Sequence, residues 1–542
     1  MRPLLIAIDA KYIHTNNAVR LLKANSDYNV DIMTFTIKDE KENILDYIKK
    51  QRPLFVGIST YIWNVEIVKT LMPSIRDLHI PIVLGGPEVS YEPLHFLNQG
   101  ADLIVKGEGE AVFDKIIEHY RDGKPLKNTP NIAYMDDEFI NNPIKQIAPL
   151  SSLASAHTFE EDIPHIPRRI QYIESSRGCP FRCTYCLSSL EKSIRHRPPG
   201  HVKKDIDRLL KHGARTIKFL DRTFNASKNA LDIIDYIIEK APGNTVFQFE
   251  MTGDNIDEAL IEHIHARAPK GLFRFEIGIQ SVSERVNALV ERNQNTEKLL
   301  KTLKKIEDLG VIDLHLDLIA GLPGENLKTF KWSFDHVFAI GAKELQLGFL
   351  KLLRGTKLRK QADSFGIRYE NRAPYEVIET AELSKEDLRV IKRVETALNI
   401  FHNRGYFQNT LSEIIINHFD RYFDLFHELY ISYKEKGLPL KGYQLHELYG
   451  FIHEYLKGSV PAKALDELKY TYLKRAKTKP KPYFSTIEDK ALRHKVFNEI
   501  RKHHDIPLDT LFKHTVTTHY TSYYLVALYK DNQATLYTIE KG

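Results

Sequence analysis

Cys179, Cys183 and Cys186 are spaced C-x3-C-x2-C and are the chain's only cysteines. Three thiolates on one short loop can hold a metal centre but leave it one donor short. A [4Fe–4S] cluster ordinarily takes four cysteines, so three leave one iron open to a small molecule. An open coordination position also separates a reactive metal site from a structural one. The competing assignment is a structural zinc ion completed by a histidine, for which His196 and His201 are nearby candidates. On the triplet alone both stand.

The triplet, with the aromatic Tyr185 just before its last cysteine, resembles the motif of the radical S-adenosylmethionine (AdoMet) enzymes. That resemblance implies an open iron that binds the amino and carboxylate groups of AdoMet. Reductive cleavage of the sulfonium would then give a 5′-deoxyadenosyl radical, with electrons from an external reductant of flavodoxin or ferredoxin type. Tyr185 matches the aromatic beside the adenine.

Elements must bring further polar groups to that loop. Strand-like runs recur at Arg169–Ser175, Thr216–Asp221, Thr245–Met251, Leu272–Gln280, Asp313–Gly321 and Glu344–Lys351, separated by helical patterns such as Val202–His212 and Glu297–Leu309. The rhythm predicts a partial (β/α)6 barrel whose chemistry lies at the carboxyl ends of its strands. Asp221, Glu250, Gln280 and Asp317 fall at or near such ends, with the cysteine loop after the first. Taken singly, an acidic residue such as Asp221, Glu276 or Asp317 is an ordinary cap or surface group; the ordered set is not. Phe219–Asn225 resembles the segment whose backbone binds the methionine amine. Gly278-Ile-Gln-Ser281 with Arg292 resembles the pattern in which glutamine meets ribose and arginine meets the methionyl carboxylate, and Asp317–Glu325 resembles the fifth-strand motif. Glu250 matches the ribose contact of the third strand, with Glu276 as its competitor.

Ahead of the cysteines, Leu4–Asp9, Val30–Thr36, Leu54–Thr60, Pro81–Gly86 and Leu103–Gly107 alternate with helical stretches, which predicts a doubly wound α/β domain over residues 1–125. Ligands of such folds sit at the carboxyl ends of the strands. The order of these strand ends resembles a cobalamin-binding domain, which maps Ser59, Thr60, Gly85, Gly86 and Gly107 onto the corrin and its nucleotide tail. His14 is the only candidate for a cobalt ligand in the first loop, but Asp9-Ala-Lys-Tyr-Ile-His14 departs from the Asp-x-His-x-x-Gly spacing. A plain loop histidine and a cobalt without protein ligand are equally open.

Residues 126–168 are proline-rich and read as a linker with a hairpin at Asn131–Met135 and Glu138–Asn141, followed by an exposed stretch at Ser151–Thr158. Residues 169–365 hold the barrel. Residues 366–542 read as a mostly helical domain with an aromatic core, built on helices at Glu382–Arg404 and Leu411–Lys436 and closed by a hairpin at Ser522–Leu528 and Ala534–Ile539. The basic run Lys474–Lys481, followed by Tyr483 and Phe484, is either a solvated loop or a grip for RNA.

No run approaches the ~20 apolar residues of a membrane helix, and a lone cysteine cluster without pairs to spare points to a reducing, cytoplasmic setting. A net charge of +6 on 542 residues does not by itself indicate nucleic acid. The cysteine count excludes a second cluster and a cysteine methyl relay. What remains is chemistry by one cluster, AdoMet and cobalamin: methyl transfer to an unactivated carbon, with radical cyclisation or oxidation as the alternative and a non-catalytic sensor as the third reading. No residue is singled out for proton or hydrogen transfer, and the substrate is not named.

Overall fold

The computed structural model describes residues 1–191 and 193–541. They form two compact units, one of residues 1–327 with 347–388, the other of residues 328–346 with 389 onward.

The first unit holds two large sheets and two short ribbons. Strands β1 (Leu4–Asp9), β2 (Asp31–Thr36), β3 (Val56–Ser59), β4 (Ile82–Gly85) and β5 (Leu103–Val105) pair in parallel, and β6 (Ile132–Met135) and β7 (Phe139–Asn141) extend the sheet antiparallel, in the order β2-β1-β3-β4-β5-β6-β7. Residues of β1, β3 and β4 are buried on both faces, which is why they read as continuous apolar runs. The hairpin placed in a linker by sequence is thus the edge of the first sheet, its Ala133 and Ile132 packed in the two apolar clusters of that domain. The stretch expected to be exposed is also partly buried. Leu153 clusters with Ala148 and Leu150, and His157 is buried with Nε2 3.0 Å from the carbonyl of Tyr172. Proline marked irregular backbone there, not solvent.

After a helical turn (Glu160–Arg168) come β8 (Gln171–Ile173), β9 (Ser176–Arg177), β10 (Arg195–His196), β11 (Thr216–Phe219), β12 (Val246–Met251), β13 (Phe273–Gln280), β14 (Asp313–Ala320) and β15 (Glu344–Phe349). Six of these form one sheet in the order β15-β14-β13-β12-β11-β8, while β9 and β10 make a small ribbon flanking the cysteine loop. Strict alternation splits the sheet's two faces. Ile217, Phe219, Phe247, Phe249, Phe273, Phe275, Ile277, Leu314 and Leu316 are buried, with rings in contact across neighbouring strands, Phe249 edge to face on Phe275 at 6.2 Å. The other face carries Tyr172, Lys218, Gln248, Glu250, Glu276, His315 and Asp317. Helices cover the apolar face; Thr296–Leu309 is one, capped where the Asn295 side chain accepts from Lys298 N and buried through Leu299, Leu303 and Ile306. Short strands β16 (Arg368–Tyr369) and β17 (Val377–Glu379) follow.

The second unit is helical around an aromatic core. Its rings include Phe401, Phe407, Tyr433, Tyr449 and Phe451, with Phe407 and Tyr449 4.4 Å apart. The long helix expected at Leu411–Lys436 is two helices, Thr410–His418 and Tyr422–Glu435. The second restarts because Asp335 Oδ1 accepts from the Phe423 backbone N–H at 2.7 Å, satisfying a donor that would otherwise be orphaned. At the C-terminal end β18 (Thr515–His519), β19 (Tyr523–Lys530) and β20 (Gln533–Glu540) form a three-stranded antiparallel sheet, so the expected hairpin has a third strand.

Candidate active site

The cysteine loop leaves β9 and returns through β10. Cys179 and Cys183 are buried, Cys186 half-buried, and all three are free. Burial pushes the Cys179 thiol up, and the Cys186 and Cys183 sulfurs add to that effect. No group of three His, Cys, Asp or Glu side chains converges on a single ion among the described residues. His196 lies with Nδ1 3.3 Å from Ser227 Oγ, which leaves Nε2 as its one free ring nitrogen. Three thiols on one loop are a donor set that an iron–sulfur cluster can use, each sulfur on a different iron.

Arg292 ties the loop to the barrel. Its guanidinium reaches Cys183 Sγ at 3.9 Å and the Tyr185 hydroxyl at 3.3 Å, and donates to the carbonyl of Gly278 at the end of β13. Burial works to lower the pKa of Arg292, but Tyr185 and Cys183 hold it above the ordinary value. Two residues on, Gln280 has φ 67° and sits at a register shift of the ladder to β14. Its amide folds back over Gly278, where an added Cβ would stand 2.0 Å from Gln280 Nε2. Gln280 Oε1 is buried and unpartnered. A left-handed non-glycine residue at a bulge, with an orphaned acceptor, is the kind of strain that collects at ligand sites. Ser281 Oγ donates to Glu325 Oε1 at 2.6 Å, joining the Gly-Ile-Gln-Ser and Gly-Leu-Pro-Gly-Glu segments.

The acidic candidates separate by environment. Glu276 is consumed internally, accepting from Lys218 Nζ at 2.7 Å and Gln248 Nε2 at 2.6 Å. Burial works to raise its pKa, but Lys218 brings it below the ordinary range. Glu250 has only longer contacts, 3.5 Å to Lys218 and 3.5 Å to Arg222, and keeps acceptor capacity toward the mouth. Asp317 lies 3.3 Å from His315 Nε2, and burial pushes its carboxyl up. Asp221 requires a correction. It is fully buried, and its oxygens accept from Ser175 N at 2.9 Å and from the Ser175 and Ser176 hydroxyls at 2.5 Å each. It holds the root of the cysteine loop and presents no free acceptor. Lys218 and Tyr172 were missed by sequence, although a lysine between Ile217 and Phe219 on a two-faced strand was the available signal.

At the carboxyl edge of the first sheet, Ser59, Thr60, Gly85, Gly86 and Gly107 are brought together. Thr60 N donates to Gly85 O at 2.6 Å, and Ser90 Oγ links Gly86 O and Gly107 N. Thr60 itself is fully buried with its hydroxyl on Ile58 O, so its side chain is turned away from any ligand. Gly86, at φ 115°, is required by the fold, since a Cβ would meet Thr60 O at 2.4 Å; at Gly85 the nearest atom is 3.7 Å away. Ser59 accepts from Asn16, which also donates to Asp9; Asp9 Oδ2 is buried and unpartnered. Tyr12, Ile13, Ile37 and Trp63 stay exposed along the same edge. An apolar rim around an orphaned carboxylate and a glycine with room beside it fits a large, flat ligand. His14 uses Nδ1 toward the Tyr172 hydroxyl at 2.7 Å, and burial lowers its pKa, so Nε2 is the one ring nitrogen it could offer a metal.

The residues that follow Gly107, Glu108-Gly-Glu110, turn their carboxylates to the cysteine loop. Arg177, just before Gly178-Cys179, meets Glu110 at 2.6 Å, Glu174 at 2.9 Å and Glu108 at 3.4 Å, and Arg195 also pairs with Glu108. The segment clamps the cysteine loop.

A B12-binding domain model matches residues 4–117, the radical SAM superfamily model residues 173–337, and the model described as "Protein of unknown function (DUF4080)" residues 363–525. A protein of Pyrococcus horikoshii named as an uncharacterized methyltransferase is 26% identical over 382 residues, 66% of this chain and 78% of its own. The anaerobic magnesium-protoporphyrin IX monomethyl ester cyclase of a Synechocystis species is 24% identical over 257 residues, 45% and 51%. In fold, the cobalamin-dependent radical enzyme OxsB superposes with TM-score 0.63 at 14% identity, covering 87% of this chain and 84% of that one. The methyltransferase TsrM of Kitasatospora setae, solved with cobalamin and a [4Fe–4S] cluster, gives 0.58 at 17%, covering 68% and 81%.

The chain therefore carries a radical SAM domain after a B12-binding domain, and it is an enzyme. Its cofactors are a [4Fe–4S] cluster, AdoMet and cobalamin, and it adds a DUF4080 segment after the barrel. No described helix is long and apolar enough to cross a membrane.

Proposed function

We propose that this enzyme cleaves AdoMet reductively at a cluster held by Cys179, Cys183 and Cys186, and that it uses the resulting radical for cobalamin-dependent methyl transfer to an unactivated carbon. The single observation that carries the reading is Arg292, whose guanidinium touches Cys183, Tyr185 and the end of β13 beside the strained Gln280. When bound, the cluster supplies the electron that splits the sulfonium, and cobalamin supplies a carrier for the methyl group. This chain's residues then do the positioning. Arg292 pairs with the methionyl carboxylate, as a planar guanidinium does best. Gln280 and Glu250 hold the ribose hydroxyls, Tyr185 lies against the adenine, and Asp317 lines the floor. Asp221 fixes the loop root through Ser175 and Ser176. The exposed rim of Tyr12, Ile13, Ile37 and Trp63, with Gly85 and Ser59, takes the corrin and its tail.

Methyl transfer is supported by the resemblance to the Pyrococcus methyltransferase, which spans most of both chains. The likeness to a protoporphyrin ester cyclase supports ring closure without methyl transfer as the second reading. Anaerobic reconstitution with an external flavodoxin or ferredoxin separates them. Methylase activity yields both 5′-deoxyadenosine and S-adenosylhomocysteine with a methylated product, and a cyclase yields 5′-deoxyadenosine alone. Absence of 5′-deoxyadenosine from cluster-loaded protein would refute both.

A further inference from the structure

The chain's positive charge is not shared evenly. The second unit has 27 Lys and Arg against 19 Asp and Glu, a net of +8, whereas the first has 50 against 52. Much of the excess lies between Lys474 and Lys513, where eleven cationic residues face five acidic ones. The structure gathers part of this stretch. The loop after the helix Ala462–Arg475 runs beside the helix Leu508–His514, with Lys479 Nζ donating to Lys513 O at 3.3 Å. Arg493, on the helix Lys490–His503, donates to Phe512 O at 3.4 Å and lies 4.9 Å from the Phe512 ring. His494 packs on the same ring at 4.9 Å.

Among the described residues, Lys477, Lys479, Lys481, Arg493 and Lys513 have no carboxylate within ion-pair distance. The contrast with the first unit is sharp, since Arg177, Arg195, Arg197 and Arg354 are each paired there. Lys477, Lys479, Lys481 and Lys513 are exposed. Partial burial, with Arg493 adding to it, pushes the Lys479 pKa down, as expected for a cation facing a cation. Evenly mixed charge would be the cheaper surface, so the uncompensated cluster calls for an anion.

We propose that this face of the second unit binds the phosphodiester backbone of an RNA strand. Composition selects among polyanions. Lysine is depleted at the cores of protein–protein interfaces, yet four of the five unpaired cations are lysines, which act as point charges toward phosphate. A membrane surface would need apolar side chains beside the cations. Trp332 and Ile431 are the exposed large apolar residues of the second unit among the described residues, and both lie outside this stretch. Phe512, half-buried between Arg493 and His494, offers the flat contact that a base can use.

The test is fluorescence anisotropy of the full-length, cluster-loaded protein with labelled bulk tRNA, a 20-nucleotide RNA and the matching DNA. With about five phosphates neutralised, affinity should fall about 100-fold between 50 and 200 mM salt. The variant Lys477→Ala/Lys479→Ala/Lys513→Ala should flatten the slope of log affinity against log salt by about 2. These positions are exposed and distant in sequence from the cluster loop, so iron content, AdoMet cleavage and thermal unfolding should stay at parent values. Failure of the methyl-transfer reading would leave this binding untouched, and the reverse holds too. RNA binding at 50 mM salt that weakens in the variant supports the proposal, and tighter binding to RNA than to DNA extends it. No binding to either nucleic acid, equal affinity in the variant, or binding confined to phosphatidylserine vesicles or poly-glutamate overturns it.

Discussion

Gly278 and Gln280 show how little room the strand end leaves. With Ala at 278, the new methyl would fall on the folded-back Gln280 amide. Gly278→Ala should therefore displace Gln280 and cost about 1–3 kcal/mol as an overpacked site, while lowering AdoMet affinity at least tenfold. Equilibrium dialysis with AdoMet beside urea unfolding checks both, and unchanged affinity would detach Gln280 from the ribose. Asp9 offers a pH test. Burial pushes its carboxyl up to about 6, against the hydrogen bond from Asn16. A raised native pKa means that the folded state binds more protons between the unfolded value near 4 and about 6. Stability from this group therefore falls as pH rises through that window, by no more than about 3 kcal/mol. Asp9→Asn should gain stability over the parent at pH 7.5 and lose that advantage at pH 4.5, read from paired thermal melts. A pH-independent difference would contradict the assignment.

Between the two domains of the first unit, the elements meet through ion pairs. Arg177 on β9 is held by Glu108 and Glu110 of the first domain, Arg20 by Asp162, and Arg354 by Glu88. Truncating one partner of a buried pair leaves the other charge unsatisfied, at about 3–5 kcal/mol. Arg177→Ala should cost that much in urea unfolding and should speed loss of iron to a chelator several-fold, because the loop it anchors begins at Cys179. Retained stability with normal iron retention would mean that the clamp is idle. This contact was not legible in the chain. Gly107-Glu-Gly-Glu110 and Arg177 lie 67 residues apart at their closest bonded pair, and a strand-end carboxylate looks the same whether it meets a ligand or an arginine. The third C-terminal strand was hidden for another reason, since Thr515–His519 follows the helix Leu508–His514 without a turn signal.

At the scale of the whole molecule, the alternation of strands and helices, the polar residues at the barrel strands' ends and the cysteine loop were readable, because apolar periodicity and cysteine spacing are local. What stayed hidden depended on burial. Asp221 and Thr60 had the right type and place but were turned inward, and Lys218 was overlooked inside an apolar run. The account rests on an iron left open for AdoMet beside Arg292. Electron–nuclear double resonance of the reduced protein with AdoMet, labelled with 15N at the amine and 17O at the carboxylate, probes that iron directly. The account predicts hyperfine coupling from both labels, lost in Cys183→Ala. A reduced cluster with spectra unaltered by AdoMet, or stoichiometric zinc in place of iron, would contradict it.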